Sequence, residues 1–246
     1  MKMKRLITGL IAIGLSLGAV GNLFAGPKEE VKEDTKTLHD FASMPERQIP
    51  PEVLKKAKGF AIFHVIDVAL LVNGKGGPGI VVTRTNNGWS GPAFVGLGGA
   101  GIGAQIGGKV KKLVLVLNSD KAVKAVADGN VKVGAELTAS AGPAGASAEA
   151  ETTFTNIDLF SYAASDGVFA GTSVEGSVIS PRGDANKQYY GHEVSVNDIL
   201  SGKVQPPSSA APLEKLLTSL GTTGMVPSEQ QASSETSARN PKPGKP

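Results

Sequence analysis

Three histidines, His39, His64 and His192, and the carboxylates near them in the chain are the residues whose types could do acid–base chemistry. Their spacing gives them no partners for it. His192-Glu193 opens as an H-E-x-x-H metal motif would, but Val194, Ser195 and Val196 follow and no second histidine closes it. Neither a G-x-S-x-G nucleophile elbow nor a D-x-D-x-D-G calcium loop occurs. His39 falls on the polar face of a helical pattern and His64 alternates within a strand pattern, so both read as structural. Asp67 reads as a carboxylate at a strand turn or end. The chain has no cysteine, which removes thiolate zinc sites, iron–sulfur clusters, disulfides, cysteine nucleophiles and an acylated lipoprotein cysteine. No catalytic, metal or cofactor set is left, and the chain reads as a non-enzyme.

The glycines offer two further chemistries. GLGGAG (96–101) matches G-x-G-x-x-G, with Asp120 about 20 residues on. A dinucleotide site needs a helix straight after those glycines. Such a helix would contain Gly103, Gly107 and Gly108, each about 1 kcal/mol worse than Ala. Nucleotide is therefore not an expected ligand. Gly99, Gly103 and Gly107 also recur at the four-residue spacing of close-packed membrane helices. Gln105 interrupts that segment, and the reading adopted is a glycine-rich strand pair or bulged turn in which backbone approaches backbone.

Lysines supply the one charge cluster. Lys109, Lys111, Lys112, Lys121, Lys124 and Lys132 stand against Asp120 and Asp128, a local +4, and Lys55, Lys56 and Lys58 follow Glu52. Strand alternation puts 109 and 111 on one face, and helical spacing does the same for 121 and 124. If those faces coincide, four ammonium groups address one surface, at about 1 kcal/mol each near anionic lipid. The candidate lipid-binding residues are Lys55, Lys58, Lys109, Lys111, Lys112, Lys121 and Lys124. No aromatic residue interleaves with them, and Lys2, Lys4 and Arg5 alone account for the formal excess of +3, so nucleic acid is not an expected partner.

The elements that must carry these residues follow from periodicity. MKMKR, the apolar run LITGLIAIGLSLGAV and a small-residue site after Ala25 have the form of a secretory signal peptide over residues 1–25, which predicts export. Val31, Leu38, Phe41 and Ala42 share a helical stripe, with Thr35 filling it and Glu29, Glu30, Glu33 and Asp34 suited to a helix N-terminus. A second helix is expected over 51–58. FAIFHVIDVALLV (60–72) reads as strand, NGKGGPG (73–79) as turn, IVVTRT (80–85) as strand, Asn86-Asn87-Gly88 as a hairpin turn, and KLVLVLN (112–118) as a strand buried on both faces. Ser119 caps a helix over 120–128. Alternation over 131–154 predicts a hairpin turning at 141–143, its small Ala/Gly face packing closely on another layer. Segments 157–164 and 168–179 form another strand pair. Short helices at 196–200 and 212–220 and a disordered Pro/Ser/Gly-rich tail over 221–246 complete the chain. The fold class is α+β and β-dominated, a mostly antiparallel, barrel-like sandwich with several short helices, in one domain over 28–220.

As one string the chain resembles the SYLF domain family, found in eukaryotic actin-patch and phosphoinositide-binding proteins and in many exported bacterial proteins. The resemblance rests on IPPEVLKKAKGFAIF (49–63), GKGGPGIVVTR (74–84), WSGPAFVGLGGAGIGAQIGG (89–108), LVLVLNSDKAVKAV (113–126), GAELTASAGPAG (134–145), SYAASDGVFAGTSVEGSVI (161–179), NKQYYG (186–191) and DILSG (198–202). It implies a non-enzymatic module that binds phospholipid head groups and, in some eukaryotic members, actin filaments. For an exported bacterial member it implies anionic-phospholipid or membrane-surface binding, with a structural or protein-interaction role in the envelope, through the glycine-rich segment, as the alternative. Membrane binding in eukaryotic members goes with a basic N-terminal segment. Here Lys28, Lys32 and Lys36 face Glu29, Glu30, Glu33, Asp34 and Asp40, a net −2, so the expected lipid contact moves to the lysines of 55–58 and 109–124.

Overall fold

The computed structural model describes residues 26–43, 49–69, 73–101, 107–143, 156–165, 168–170 and 174–227. The expected signal segment, Ala144–Ala150 of the small-residue face and the tail beyond 227 lie outside them. Helix α1 (Pro27–Ser43) and helix α2 (Pro51–Lys56) lead into strands β1 (Gly59–Ala69), β2 (Asn73–Thr85), β3 (Gly88–Trp89), β4 (Ala93–Gly101) and β5 (Gly107–Leu117). Helix α3 (Asp120–Asp128), strands β6 (Val131–Lys132), β7 (Ala139–Ala141), β8 (Leu159–Ser165), β9 (Val168–Ala170) and β10 (Ser177–Pro181), and helices α4 (Gly183–Tyr190), α5 (Val196–Leu200) and α6 (Ala211–Thr223) follow.

One strongly curled sheet, a half-barrel, runs in the order β6-β10-β4-β2-β1-β5-β8-β7, with β3 on β2 and β9 on β8. Every pairing is antiparallel except β7 with β8. This is the expected α+β class, and the layer opposite each sheet face is helical. Phe60, Ile62, Ile80, Val82, Phe94, Val114 and Val116 pack under α1, α2, α4 and α6. Their alternates Ala61, Phe63, Val81, Val95, Leu113, Leu115 and Leu117 pack against α3 and α5. Burial on both faces is why β1 and β5 read as continuous apolar runs.

Several helix ends follow their local chemistry. The Ser119 hydroxyl accepts from the Ala122 N–H at 3.0 Å, and Gly129 ends α3 at φ 83. The Asp198 N–H donates to Ser195 Oγ at 3.0 Å and starts α5.

Four expectations are corrected. Residues 73–79 are strand, not turn: β2 pairs with β1 from Asn73 to Thr83. Side-chain-free backbone is needed there, since a Cβ on Gly77 would run into the His64 carbonyl and one on Gly79 into that of Ile62. The alternation from 131 does not make one long strand, because Gly134 at φ 91 turns the chain and leaves Ala135 exposed. The 168–179 segment serves both sides of the sheet: β9 pairs β8, whereas β10 crosses to β4 and β6. Finally, α6 continues past Gly221 to Thr223, and α4 was not anticipated at all. Its glycine start and sparse apolar content, GDANKQYY, hide it.

Candidate functional site

The expected lysine set does not gather on one surface. Lys109, Lys111 and Lys112 belong to the first half of β5, whereas α3, with Lys121 and Lys124, starts only after Leu117. Six strand steps lead from Lys111 to Leu117, about 20 Å. Lys121 donates to Asp158 Oδ2 at 3.0 Å, next to Leu159, which pairs with Leu117 at that far end. Lys124 pairs with Asp128 at 2.6 Å, Lys58 with Asp120 at 2.6 Å, and Lys55 with Glu52. These exposed pairs are each worth under about 1 kcal/mol and leave the ammonium groups accessible.

Lys112 sits elsewhere. It occupies the register position opposite His64, its Nζ 4.0 Å from Asp40 Oδ2, and so joins a polar seam beneath α1. The helix lies across the strands. Near its start Glu30 Oε1 meets Arg182 Nη1 at 2.6 Å, at the head of α4. In its middle Asp34 Oδ1 and Thr37 Oγ1 stand 3.1 Å and 3.2 Å from His64 Nε2 on β1. Near its end Asp40 approaches Lys112 on β5. Glu30, Asp34 and Thr37 are 2%, 0% and 0% exposed, and His64 6%.

Burial sets the protonation of this seam. It pushes the Glu30 carboxyl up to about 7, outweighing the Arg182 guanidinium that favours the anion. Burial pushes Asp34 well above the carboxylate range, again against Arg182. His64 is held below its ordinary value by burial and then by the Lys112 charge. Neither oxygen of Asp34 receives a well-directed hydrogen bond. Both shifts favour the uncharged forms of Asp34 and His64.

An Asp, a His and a Thr in contact invite comparison with a nucleophile triad. There the nucleophile and the orienting acid address opposite ring nitrogens. Here Thr37 and Asp34 both address Nε2, and all three side chains are buried from any substrate. Among the described residues no three His, Asp or Glu side chains converge as a metal site. The literal G-x-G-x-x-G is strand: Gly96–Gly101 pair with β2, so the phosphate-cradling helix start is missing from it.

Glu30, Asp34, Thr37 and Arg182 escaped the sequence reading. The signal was there, since 30, 34, 37, 38 and 41 share one helical face, and two acids on an apolar stripe mark buried acids rather than a helix N-terminus.

Comparison with known proteins decides the family. The profile described as "Ysc84: Las17-binding protein actin regulator" matches residues 98–220, from the middle of β4 to the last buried leucine of α6. The chain belongs to the Ysc84 family. Protein YSC84 of Saccharomyces cerevisiae is 39% identical over 202 residues, which span 78% of this chain and 43% of that protein. LAS seventeen-binding protein 3 of the same yeast is 38% identical over 202 residues, 78% of this chain and 44% of its own length. SH3 domain-containing YSC84-like protein 1 of Homo sapiens is 40% identical over 200 residues, 78% of this chain and 58% of its length. The chain therefore spans about half the length of these curated relatives. The Ysc84 family description is that of a binding module, and a binding module is what the fold provides.

Proposed function

We propose that this Ysc84-family domain is a non-enzymatic module that docks on anionic phospholipid, in the exported, envelope-associated setting suggested by residues 1–25. One observation carries the reading. In the register of β2, β1 and β5, Lys75, Asp67 and Lys109 are direct neighbours, and Lys111 lies two positions further along opposite Val65. Lys75, Lys109 and Lys111 with Asp67 thus hold register positions on one face of this end of the sheet, while Lys112 alternates to the α1 face beside Asp40. Among the described residues of these strands the clustered core reaches Val65, Leu97 and Leu113, and Ile66, Gly76, Gly98 and Gly99 are half-buried. Gly76 pairs with Gly98, which leaves little bulk there to hold a surface away.

A net +2 contributes roughly 2 kcal/mol at an anionic membrane, short of the ~4 kcal/mol of millimolar affinity. Steep salt dependence and some apolar contact are expected. The test is co-sedimentation of the protein with phosphatidylglycerol-containing and with pure phosphatidylcholine vesicles. Lys109→Glu/Lys111→Glu should lose anionic binding with its circular dichroism retained. Lys121→Glu/Lys124→Glu, at the far end, should keep it. Equal binding by the first variant and wild type removes the lipid reading. The alternative, an envelope protein-interaction module using the same glycine-rich end, then leads, and relatives named for binding Las17 favour it next.

A further inference from the structure

The seam beneath α1 has a property that membrane docking does not use. Asp34 is completely buried, neither of its oxygens receives a directed hydrogen bond, and Oδ1 lies 3.1 Å from His64 Nε2. A buried carboxylate without donors is strongly disfavoured as an anion unless a cation neutralises it, and a buried imidazolium is disfavoured likewise. At that separation one proton between the two groups leaves both uncharged.

We propose that α1 is a pH-sensitive strap, docked across the sheet while Asp34 and His64 hold one proton in common and loosened when that proton is lost or a second is gained. The charges facing the pair make both departures costly. Glu30 and Glu33 on α1 itself oppose an Asp34 anion, with Arg182 at the head of α4 and Lys112 on β5 offsetting part of that cost. Lys112, directly opposite His64 in the β1–β5 register, opposes a second proton on the imidazole, which Glu30 and Glu33 offset in part. Burial is the larger influence on both groups and points the same way. When α1 lifts, Val31, Leu38 and Phe41 come away from the sheet, so release uncovers an apolar face.

The two limbs have opposite signs. Asp34 has a raised folded pKa, so its contribution to docking is full in acid and fades as pH rises through that pKa. His64 has a depressed one, so its contribution is full above its ordinary range and fades as pH falls. Docking should therefore be strongest at intermediate pH.

Hydrogen exchange read by mass spectrometry on the full chain from pH 4 to 10, corrected for intrinsic rates, tests this. Protection of α1 relative to α3 on the opposite face should peak at intermediate pH. On the alkaline limb it should fall by up to about tenfold per pH unit until the docked Asp34 has itself ionised, and level off above that. Asp34→Asn should abolish the alkaline limb and keep the acid one, and His64→Asn should do the reverse. Glu30→Gln should keep both. A flat α1-to-α3 ratio in wild type overturns the proposal, as does an alkaline limb removed by Glu30→Gln instead of Asp34→Asn. A wild-type NMR titration of His64 needs no variant to fold. A titration midpoint below the ordinary ~6.5 is expected, and an ordinary titration with α1 still protected overturns the strap.

Discussion

Asn186 of α4 takes both hydrogen-bonding groups of the Phe94 backbone on β4: Oδ1 accepts from the Phe94 N–H at 2.8 Å and Nδ2 donates to the Phe94 carbonyl at 3.0 Å. Strand β10 pairs with β4 only as far as Pro181 opposite Val95. The Arg182 N–H also donates to the Phe94 carbonyl at 3.0 Å, and the Asn186 amide completes this last rung of the ladder by accepting from the Phe94 N–H, in the hand-over from strand to helix.

Asn186→Ala leaves the buried Phe94 N–H without its acceptor and should cost about 1–3 kcal/mol. For a domain of this size that is a drop of several degrees in Tm, readable by calorimetry. Asn186→Asp should be no better, since it keeps an acceptor for the Phe94 N–H but buries a carboxylate at a site 1% exposed. A Tm unchanged in both variants would show that the amide rung is idle.

Asp158 joins α3 to the sheet. It accepts from Ser119 Oγ at 2.7 Å, Lys121 Nζ at 3.0 Å and the Thr138 N–H at 2.9 Å. Burial alone would raise its pKa, but these donors prevail and hold it at about 2. A depressed carboxylate stabilises the fold above its unfolded pKa of ~3.9, and that share, about 2 kcal/mol, should disappear as pH falls from 4 towards 2. Urea unfolding at pH 7, 4 and 2.5 checks it. Asp158→Asn should be less stable at pH 7 and should lack most of this acid step.

Arg182 is the partner of buried Glu30. Arg182→Ala strands that carboxylate and should cost about 3–5 kcal/mol near pH 8. Because the Glu30 pKa is already raised, and would rise further without the guanidinium, protonation relieves the penalty as pH falls towards 5. Unfolding free energies at the two pH values measure this, and an equal loss at both contradicts it.

The glycines divide into required and permissive ones. Gly77→Ala directs a methyl into the His64 carbonyl and should break the β1–β2 register, with a loss of several kcal/mol or no folded product. Gly98→Ala meets nothing within 4 Å and should shift stability by no more than about 0.5 kcal/mol. Expression and thermal unfolding of the two variants side by side separate the roles.

Much of this architecture was legible where local chemistry is decisive. The Ser119 and Ser195 caps, the Asn86-Asn87 turn before Gly88 and the doubly buried β5 run all appear where residue type requires them. The reading failed where long-range packing overrides local propensity. Asn73–Gly79 carries turn residues but is strand because β1 lies too close for side chains. The lysines clustered in sequence separate in space because β5 runs its full length between Lys111 and α3. Glu30 and Asp34 looked like helix-start acids, and only the sheet beneath them, with Arg182 far along the chain, gives them their role.

That distance has a kinetic meaning. The Glu30–Arg182 contact joins residues 152 apart in sequence. Helix α1 lies ahead of every strand and leaves the ribosome first, yet its Arg182 partner arrives only after β10 has been made. Loop closure over so long a separation comes late, because its entropic cost is repaid only once the intervening strands are paired. Until β1, β2 and β5 have been made and paired beneath it, α1 waits with Val31, Leu38 and Phe41 unburied, a nascent amphipathic segment open to whatever receives emerging chains.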